Sequence, residues 1–531
     1  MGGPVSTEIV TATGVSRRFP IWMNLICTFL LVTGVVQVLV FTGFEYWQIH
    51  IPFPNNLGEG HALWMAMQIT NRHVAYQSTD HFPYIFYPYT PLYMVAVHLL
   101  NGGDLWMTGR WLSLVSTLAL SCIAGLTVFA SAPKAEERWR LAGAAATMGL
   151  ILASKSVVKW TPLMRVDMMA LMFSVAGLSA FILMRRRQAG LYIAMGFFLL
   201  SVFTKQVCIG APAACLIAGL VDNWRATLRA LGVAVALGLA GMAGCTWFYG
   251  KLFFSHTFLY NLAPYTPRHG LLAPMFHLIQ GLPYVLIAVA SARALAKRAA
   301  VPEAGWLAGL QARIQANILD RALFAGLLYF AITTAMLPLI GKRGSDVNYF
   351  LEWDVASALL AGLFVLKLVE AWKEEIVWKP SKVMTYLLVP CAIVLTMTYV
   401  DPGILAAVRE PEETRNLPTA QAERVIEMIR ATPNIVFTED MLLSILGGKT
   451  PAIVVDGLNF MGMKGRWDER PFVEMIDRQQ FGLIVSMDIN NPDRYSPATT
   501  EAINRAYVLS ERVGIYQIYR PRPKALASSG P

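Results

Sequence analysis

The sequence predicts an α-helical polytopic membrane protein with about 11 transmembrane helices and a small C-terminal α/β domain outside the membrane. Three observations carry that expectation. Of 531 residues, 55% are hydrophobic and only 15% charged, where a soluble domain carries roughly 25% charged residues. Apolar stretches near the length of a bilayer crossing recur from residue 20 to residue 400. The formal charge of +10 is also unevenly spread: residues 1–400 hold 29 Lys and Arg against 17 Asp and Glu, and residues 401–531 hold 15 against 17. A positive excess confined to the apolar part fits loops facing a cytoplasm and not a nucleic-acid groove. Six cysteines and glycine without a period exclude a disulfide scaffold and a collagen-like chain.

A hydrocarbon core of ~30 Å needs ~20 mostly apolar helical residues. The stretches that approach this are 20–43, 106–129, 141–154, 167–184, 190–204, 207–221, 230–250, 275–292, 322–340, 349–366 and 382–400. Arg17 and Arg18 precede the first, which lacks a small-residue cleavage site and reads as a retained anchor. With the N-terminus inside, cytoplasmic segments collect 19 Lys and Arg and the opposite face between spans 10, so the sequence predicts a cytoplasmic N-terminus. The expected division is a membrane domain over 1–400 with its first outer loop at about 44–105, an extracytoplasmic domain over 401–522 and a disordered tail over 523–531. In the C-terminal part, 434–437, 452–455, 483–486 and 514–519 read as strands, and 420–429, 471–480 and 499–508 as helices.

The outward-side polar residues are grouped, not scattered. The first outer loop carries Glu59 and His61 on an amphipathic helical stretch, then His81, Tyr84, Phe86, Tyr87 and Tyr89 among prolines. A loop this long inside a compact membrane domain covers or forms a site. Glu59 taken alone is equally an acid offsetting a helix macrodipole. Arg165 and Asp167 run directly into an apolar helix, where an ionisable group is costly unless paired or functional. Lys205 and Gln206 separate two apolar stretches, so Lys205 is either a snorkelling lysine or a phosphate ligand. Arg268 and His269 follow in the next outer loop, and their spacing with His256 is not that of a metal site. Lys342 and Arg343 stand between Gly341 and Gly344, just before Asn348 and Tyr349. An acid and several cations on one face, at the mouth of an apolar bundle, suit an amphiphile with an anionic head.

Six short strings in order give the chain a resemblance to the GT-C class of polytopic glycosyltransferases. They are NNLGEGHALWMAMQI, YPYTPLY, GRWLSL, MRVDMMAL, FTKQ and GSDVNYFLE. The closest likeness is to family-39-like members, related to protein O-mannosyltransferases and lipid A aminoarabinose transferases. Many members carry Asp, often an acidic pair, near Glu59, whereas here glycines flank a single Glu. The resemblance implies inverting transfer of a sugar from a polyprenyl-phosphate donor to a hydroxyl of a glycan, lipid or protein on the outer face.

In that chemistry the leaving group is already good, so the protein neutralises phosphate charge and deprotonates the acceptor. The expected roles are Glu59 as general base and Arg165, Lys205, Lys342 and Arg343 as phosphate ligands. His61, Asp167, Gln206, Arg268, His269, Asn348 and Tyr349 are the expected substrate contacts. No cofactor, no metal and no nucleic-acid partner is expected, and the C-terminal part lacks a nucleotide-binding glycine pattern. A lipid-linked sugar flippase is the alternative, disfavoured because no internal repeat is evident and the charges gather at one face.

Overall fold

A computed structural model describes residues 21–52, 56–184, 188–299, 305–374 and 412–523. The expected span at 382–400 and the tail from 524 lie outside the described residues.

Among the described residues, the membrane part is built of helices joined by loops. Helix α1 (Ile21–Ile49) precedes the outer loop, which contains α2 (Gly58–Gln68) and α3 (Leu92–Leu99). Then come α4 (Leu105–Ser131), α5 (Glu137–Ala153), the one-turn α6 (Lys155–Trp160), α7 (Asp167–Leu183) and α8 (Ala189–Thr204). The rest is α9 (Gly210–Tyr249), α10 (Pro267–Gln280), α11 (Leu282–Ala299), α12 (Trp306–Ala316), α13 (Ile318–Met336) and α14 (Leu351–Glu374). Small residues let these helices close on one another, as lipid-embedded helices require. A Cβ on Gly34 of α1 would stand 2.3 Å from the Ala145 carbonyl of α5, and one on Gly362 of α14 would stand 1.9 Å from the Thr147 hydroxyl.

The expected count of about 11 spans is not confirmed among the described residues. Five helices are long and apolar enough to cross a bilayer, or six if α10 and α11 count as one span bent by 76°. Helices α7 and α8 are apolar but have only 17 and 16 residues, about 25 Å at ~1.5 Å per residue. The stretches expected as two spans at 207–221 and 230–250 are two helical segments that meet at Asn223 and together make α9, Gly210–Tyr249. Asn223, in the polar run between them, is extended (φ −153°, ψ 89°), and its Oδ1 accepts from Ala226 N–H at 3.1 Å, which caps the second segment where the sequence predicts a division.

The C-terminal part is a small layered domain. Helices α15 (Glu412–Ala431), α16 (Met441–Leu446), α17 (Val455–Gly462), α18 (Arg470–Asp477) and α19 (Pro497–Ala506) surround one four-stranded sheet. Its strands are β1 (Val436–Thr438), β2 (Leu483–Ser486), β3 (Tyr507–Val513) and β4 (Tyr516–Pro521), in the order β1-β2-β4-β3. β1 and β2 pair in parallel, and β4 is antiparallel to both β2 and β3. Two expectations change here. The helix expected over 499–508 ends at Ala506, where β3 begins. The run 452–455 does not join the sheet; Ile453 bridges in parallel to Tyr84 of the first outer loop.

That bridge belongs to a broad seat. Tyr84 N–H donates to the Ala452 carbonyl at 2.8 Å and Val454 N–H donates back to the Tyr84 carbonyl at 3.1 Å. Trp467 Nε1 donates to the Thr79 carbonyl at 3.0 Å, and Tyr84 packs edge-on against Phe472. Gly60 of α2 lies so close to α16 that a Cβ there would stand 2.2 Å from the Leu442 backbone nitrogen. The domain therefore shares one apolar core with the outer loop, running from Ala62 and Tyr84 through Phe437 to Ile503.

Candidate active site

Two clusters of ionisable groups occupy one end of the bundle, the end expected to face outward. The first is built on α2 and α4. Trp106 and Arg110 are four residues apart on α4, so they share a face one turn apart. Arg110 grips Glu59 with two parallel bonds, Nε to Oε1 and Nη2 to Oε2, both 2.8 Å. Oε1 also accepts from Trp106 Nε1 at 3.1 Å and from the Met164 backbone N–H at 3.0 Å. The remaining Arg110 nitrogen donates to the Ile49 and Ile51 carbonyls at 3.1 and 2.6 Å, tying the end of α1 to the cluster. Glu59 and Arg110 are both wholly enclosed. The expectation that Glu59 is the general base is corrected by this geometry. A carboxylate with no solvent access, held by a guanidinium and two further N–H donors, positions the chain and has no route to an acceptor hydroxyl.

Glycines on either side of Glu59 explain the GEG string. Gly60 admits α16, as described. A Cβ on Gly58 would stand 1.4 Å from Nη1 of Arg165, so the guanidinium occupies the space a side chain at 58 would fill. Arg165 also donates from Nη2 to the Tyr89 hydroxyl at 3.0 Å and lies over the Trp160 ring at 5.4 Å.

The second cluster lines an open pocket of ≈ 480 Å³ between the outer ends of α7, α8, α13 and α14. Asp167, the first residue of α7, pairs with Lys205, which follows the last residue of α8, and accepts from Asn348 Nδ2 at 3.0 Å. Tyr349, Cys208 and Glu352 complete the polar wall, and the Lys205 ammonium lies 5.9 Å from the Tyr349 ring centre. Leu171, Val207, Met336, Leu339 and Leu351 form the apolar wall. Val207 and Leu339 keep 41% and 48% of their surface exposed, so the apolar side continues to the outside of the bundle. Arg165 Nε, Asp167 Oδ2 and Asn348 Oδ1 are buried polar atoms with no protein partner. Such atoms are uncommon, and here three belong to residues of one region that a polar ligand would satisfy.

The other expected residues divide. Lys342 is half-buried near this pocket, and burial together with the like charge of Lys205 pulls its ammonium down to about 8. Arg343, expected on phosphate, points away instead: it pairs with Asp493 of the C-terminal domain at 3.4 Å and reaches Met463. Gln206 is a staple, not a substrate contact, because its amide donates to the Pro88 and Thr257 carbonyls at 2.7 and 2.6 Å. His61 lies against Phe86 with Nε2 2.6 Å from that residue's carbonyl, and burial pushes its imidazole down to about 4. It is neutral at physiological pH and fixes the loop. Arg268 and His269 sit exposed at the start of α10, and no contact draws them to either cluster. Arg110, Trp106 and Tyr89 were not among the expected site residues. The four-residue spacing in the GRW region was the signal available for the first two.

No family model matches the sequence, and no curated protein matches it either. Solved structures do. The chain superposes on the crystal structure of ArnT from Cupriavidus metallidurans bound to undecaprenyl phosphate with a TM-score of 0.53. The match covers 91% of this chain and 97% of that one at 15% identity. The fold is that of ArnT. The likeness in fold takes in the membrane part and the C-terminal domain together.

Proposed function

We propose that this protein is an integral-membrane glycosyltransferase that moves a sugar from a polyprenyl-phosphate donor to a hydroxyl acceptor on the outer face. The observation that carries the reading is the pocket in which Lys205, Asp167, Asn348 and Tyr349 face an apolar wall open to the outside of the bundle. Lys205, with Arg165 and Lys342 near it, supplies positive charge for a phosphate. The apolar wall at Val207, Met336 and Leu339 takes the first isoprene units. Asn348 and Tyr349 contact the sugar, and Asp167 holds the Lys205 ammonium in place. ArnT, whose fold this chain shares, was crystallised with undecaprenyl phosphate, which supports a polyprenyl-phosphate ligand here.

The chemistry needs charge stabilisation at the departing phosphate more than covalent help. One cation in the pocket wall, with Arg165 and the half-buried Lys342 near it, is suited to that. We also propose a cytoplasmic N-terminus in a bacterial inner membrane, and transfer that requires no metal. The test is purified protein in detergent, with no second compartment, given undecaprenyl-phosphate sugars of several head groups. Release of undecaprenyl phosphate with the sugar on an acceptor hydroxyl, undiminished by chelator, is the expected result. Binding without turnover of any head group would favour lipid transport instead.

A further inference from the structure

Helix α17 roofs the site. Its first turn rests on the outer loop: Gly457 lies where a Cβ would stand 2.1 Å from Cε1 of Phe86, just after the backbone bridge to Tyr84. Its other end rests on the loop that carries Lys342, Asn348 and Tyr349. There Gly344 (φ +77°) leaves room for the Phe460 ring, 2.9 Å from where its Cβ would be, and Arg343 ties on through Met463. The helix thus spans both sides of the cleft, and it brings a carboxylate with it. Asp456 stands in its first turn, keeps solvent access, and accepts from Gly457 N–H at 2.8 Å. Its charge and that of Arg165 are near enough to act on one another.

We propose that Asp456 is the acceptor-side general base, so that the C-terminal domain supplies part of the active site. This rests on the transferase reading above. Glu59 is enclosed and held by three residues, and Asp167 is occupied by an ammonium and an amide. Glu352 of the pocket wall accepts from the Gly210 N–H at 3.1 Å, whereas Asp456 is exposed to water and hence to an acceptor hydroxyl. It approaches from the roof, whereas Lys205 holds the phosphate from the membrane side. The acceptor hydroxyl gives its proton to Asp456 as its oxygen bonds to the anomeric carbon. The bond from that carbon to the phosphate oxygen breaks, and its electron pair leaves with polyprenyl phosphate, neutralised by Lys205 and Arg165. Asp456 then releases the proton to water. Attack and departure on opposite sides invert the anomeric centre.

The experiment uses the full chain in lipid nanodiscs with two probes, undecaprenyl phosphate for binding and undecaprenyl-phosphate sugars for turnover. Asp456→Asn should lower turnover roughly 100-fold or more, and Asp456→Glu should restore at least a tenth of it. The acid limb of the rate-against-pH curve should disappear in the Asn variant. Undecaprenyl phosphate should bind that variant about 2- to 5-fold more tightly, because a negative charge near Arg165 is gone. A purely structural role would move neither the acid limb nor this affinity upward. Turnover within threefold of wild type in Asp456→Asn would overturn the base assignment alone. Tighter binding with no wild-type turnover of any head group would overturn the transferase reading, and the base with it.

Discussion

The Glu59–Arg110 cluster and the Asp167–Lys205 cluster look alike on paper: each is one carboxylate and one cation at the outer end of apolar helices. Their surroundings separate them. Both partners of the first pair have no exposed side-chain surface, and the donors around Glu59 come from three other residues. In the second pair Lys205 keeps 12% of its side chain exposed, and neighbouring polar atoms lack protein partners. A buried, fully satisfied ion pair holds parts together, and removing one member leaves an uncompensated charge. An ion pair at a pocket wall with unsatisfied neighbours is prepared for something absent from the protein itself.

The sharpest test of that contrast is at Lys205. Lys205→Met should cut transfer by roughly 10²–10³-fold, the loss typical of removing one stabilising group from a developing anion. The fold should survive, because the pocket can admit water to Asp167. Rates with a polyprenyl-phosphate sugar, alongside thermal unfolding in detergent, check both halves. Wild-type turnover would return the pair to a structural role.

Glu59 should behave in the opposite way. Glu59→Gln should destabilise by about 3–5 kcal/mol, since it strands the buried Arg110 charge. The double variant Glu59→Gln/Arg110→Met should recover part of that loss. Thermal unfolding of the wild type and these two variants measures it. A Glu59→Gln protein of unchanged stability that has lost transfer would instead bring Glu59 back as the base.

How much of this was readable in advance follows from the range of each interaction. Helix α4 was legible almost to the residue, because its apolar run and the preceding Asp104, whose carboxylate caps Met107 N–H at 3.0 Å, are local signals. β2 appears at Leu483–Ser486 as expected for a short, fully buried apolar run. The run at 452–455 has the same composition, but its partner is Tyr84, more than 350 residues earlier, and no local pattern reports that. The site shows the same limit. That polar groups gather at one end of the helices could be read from their order in the sequence, and Asp167, Lys205 and Asn348 do meet. That Glu59 would be claimed by Arg110, 51 residues away, and Arg343 by Asp493 depends on tertiary packing. The flanking glycines of Glu59 make sense only once Arg165 and α16 are seen pressed against them.

Those glycines give a smaller test. A Cβ at 58 meets the end of a flexible side chain, whereas a Cβ at 60 meets the α16 backbone, which cannot swing aside. Gly58→Ala should therefore keep the fold while displacing Arg165, weakening undecaprenyl phosphate binding by about tenfold (~1.4 kcal/mol). Gly60→Ala should instead loosen the C-terminal domain from the outer loop, read as faster proteolysis between the two. Equal effects of the two substitutions would show that the loop moves as one piece.

The mildest effect should come from pH. Lys342 is charged below about pH 8 and neutral above it, because burial and the nearby Lys205 charge disfavour its ammonium. A group depressed in this way contributes attraction for an anion on the acid side of its pKa and loses it as pH rises through that value. Undecaprenyl phosphate should accordingly bind a few-fold more weakly at pH 9 than at pH 7. Its own second ionisation, near pH ~6, is complete in that window and adds no slope there. Lys205, paired directly with Asp167, stays charged throughout and supplies the affinity that remains. Replacing Lys342 by Arg, which keeps its charge to much higher pH, should flatten the curve, and Lys342→Ala should lower it to the alkaline value at every pH. A curve equally steep in Lys342→Ala would assign the titration to another group in the pocket and leave Lys205 and Arg165 as the phosphate-holding cations.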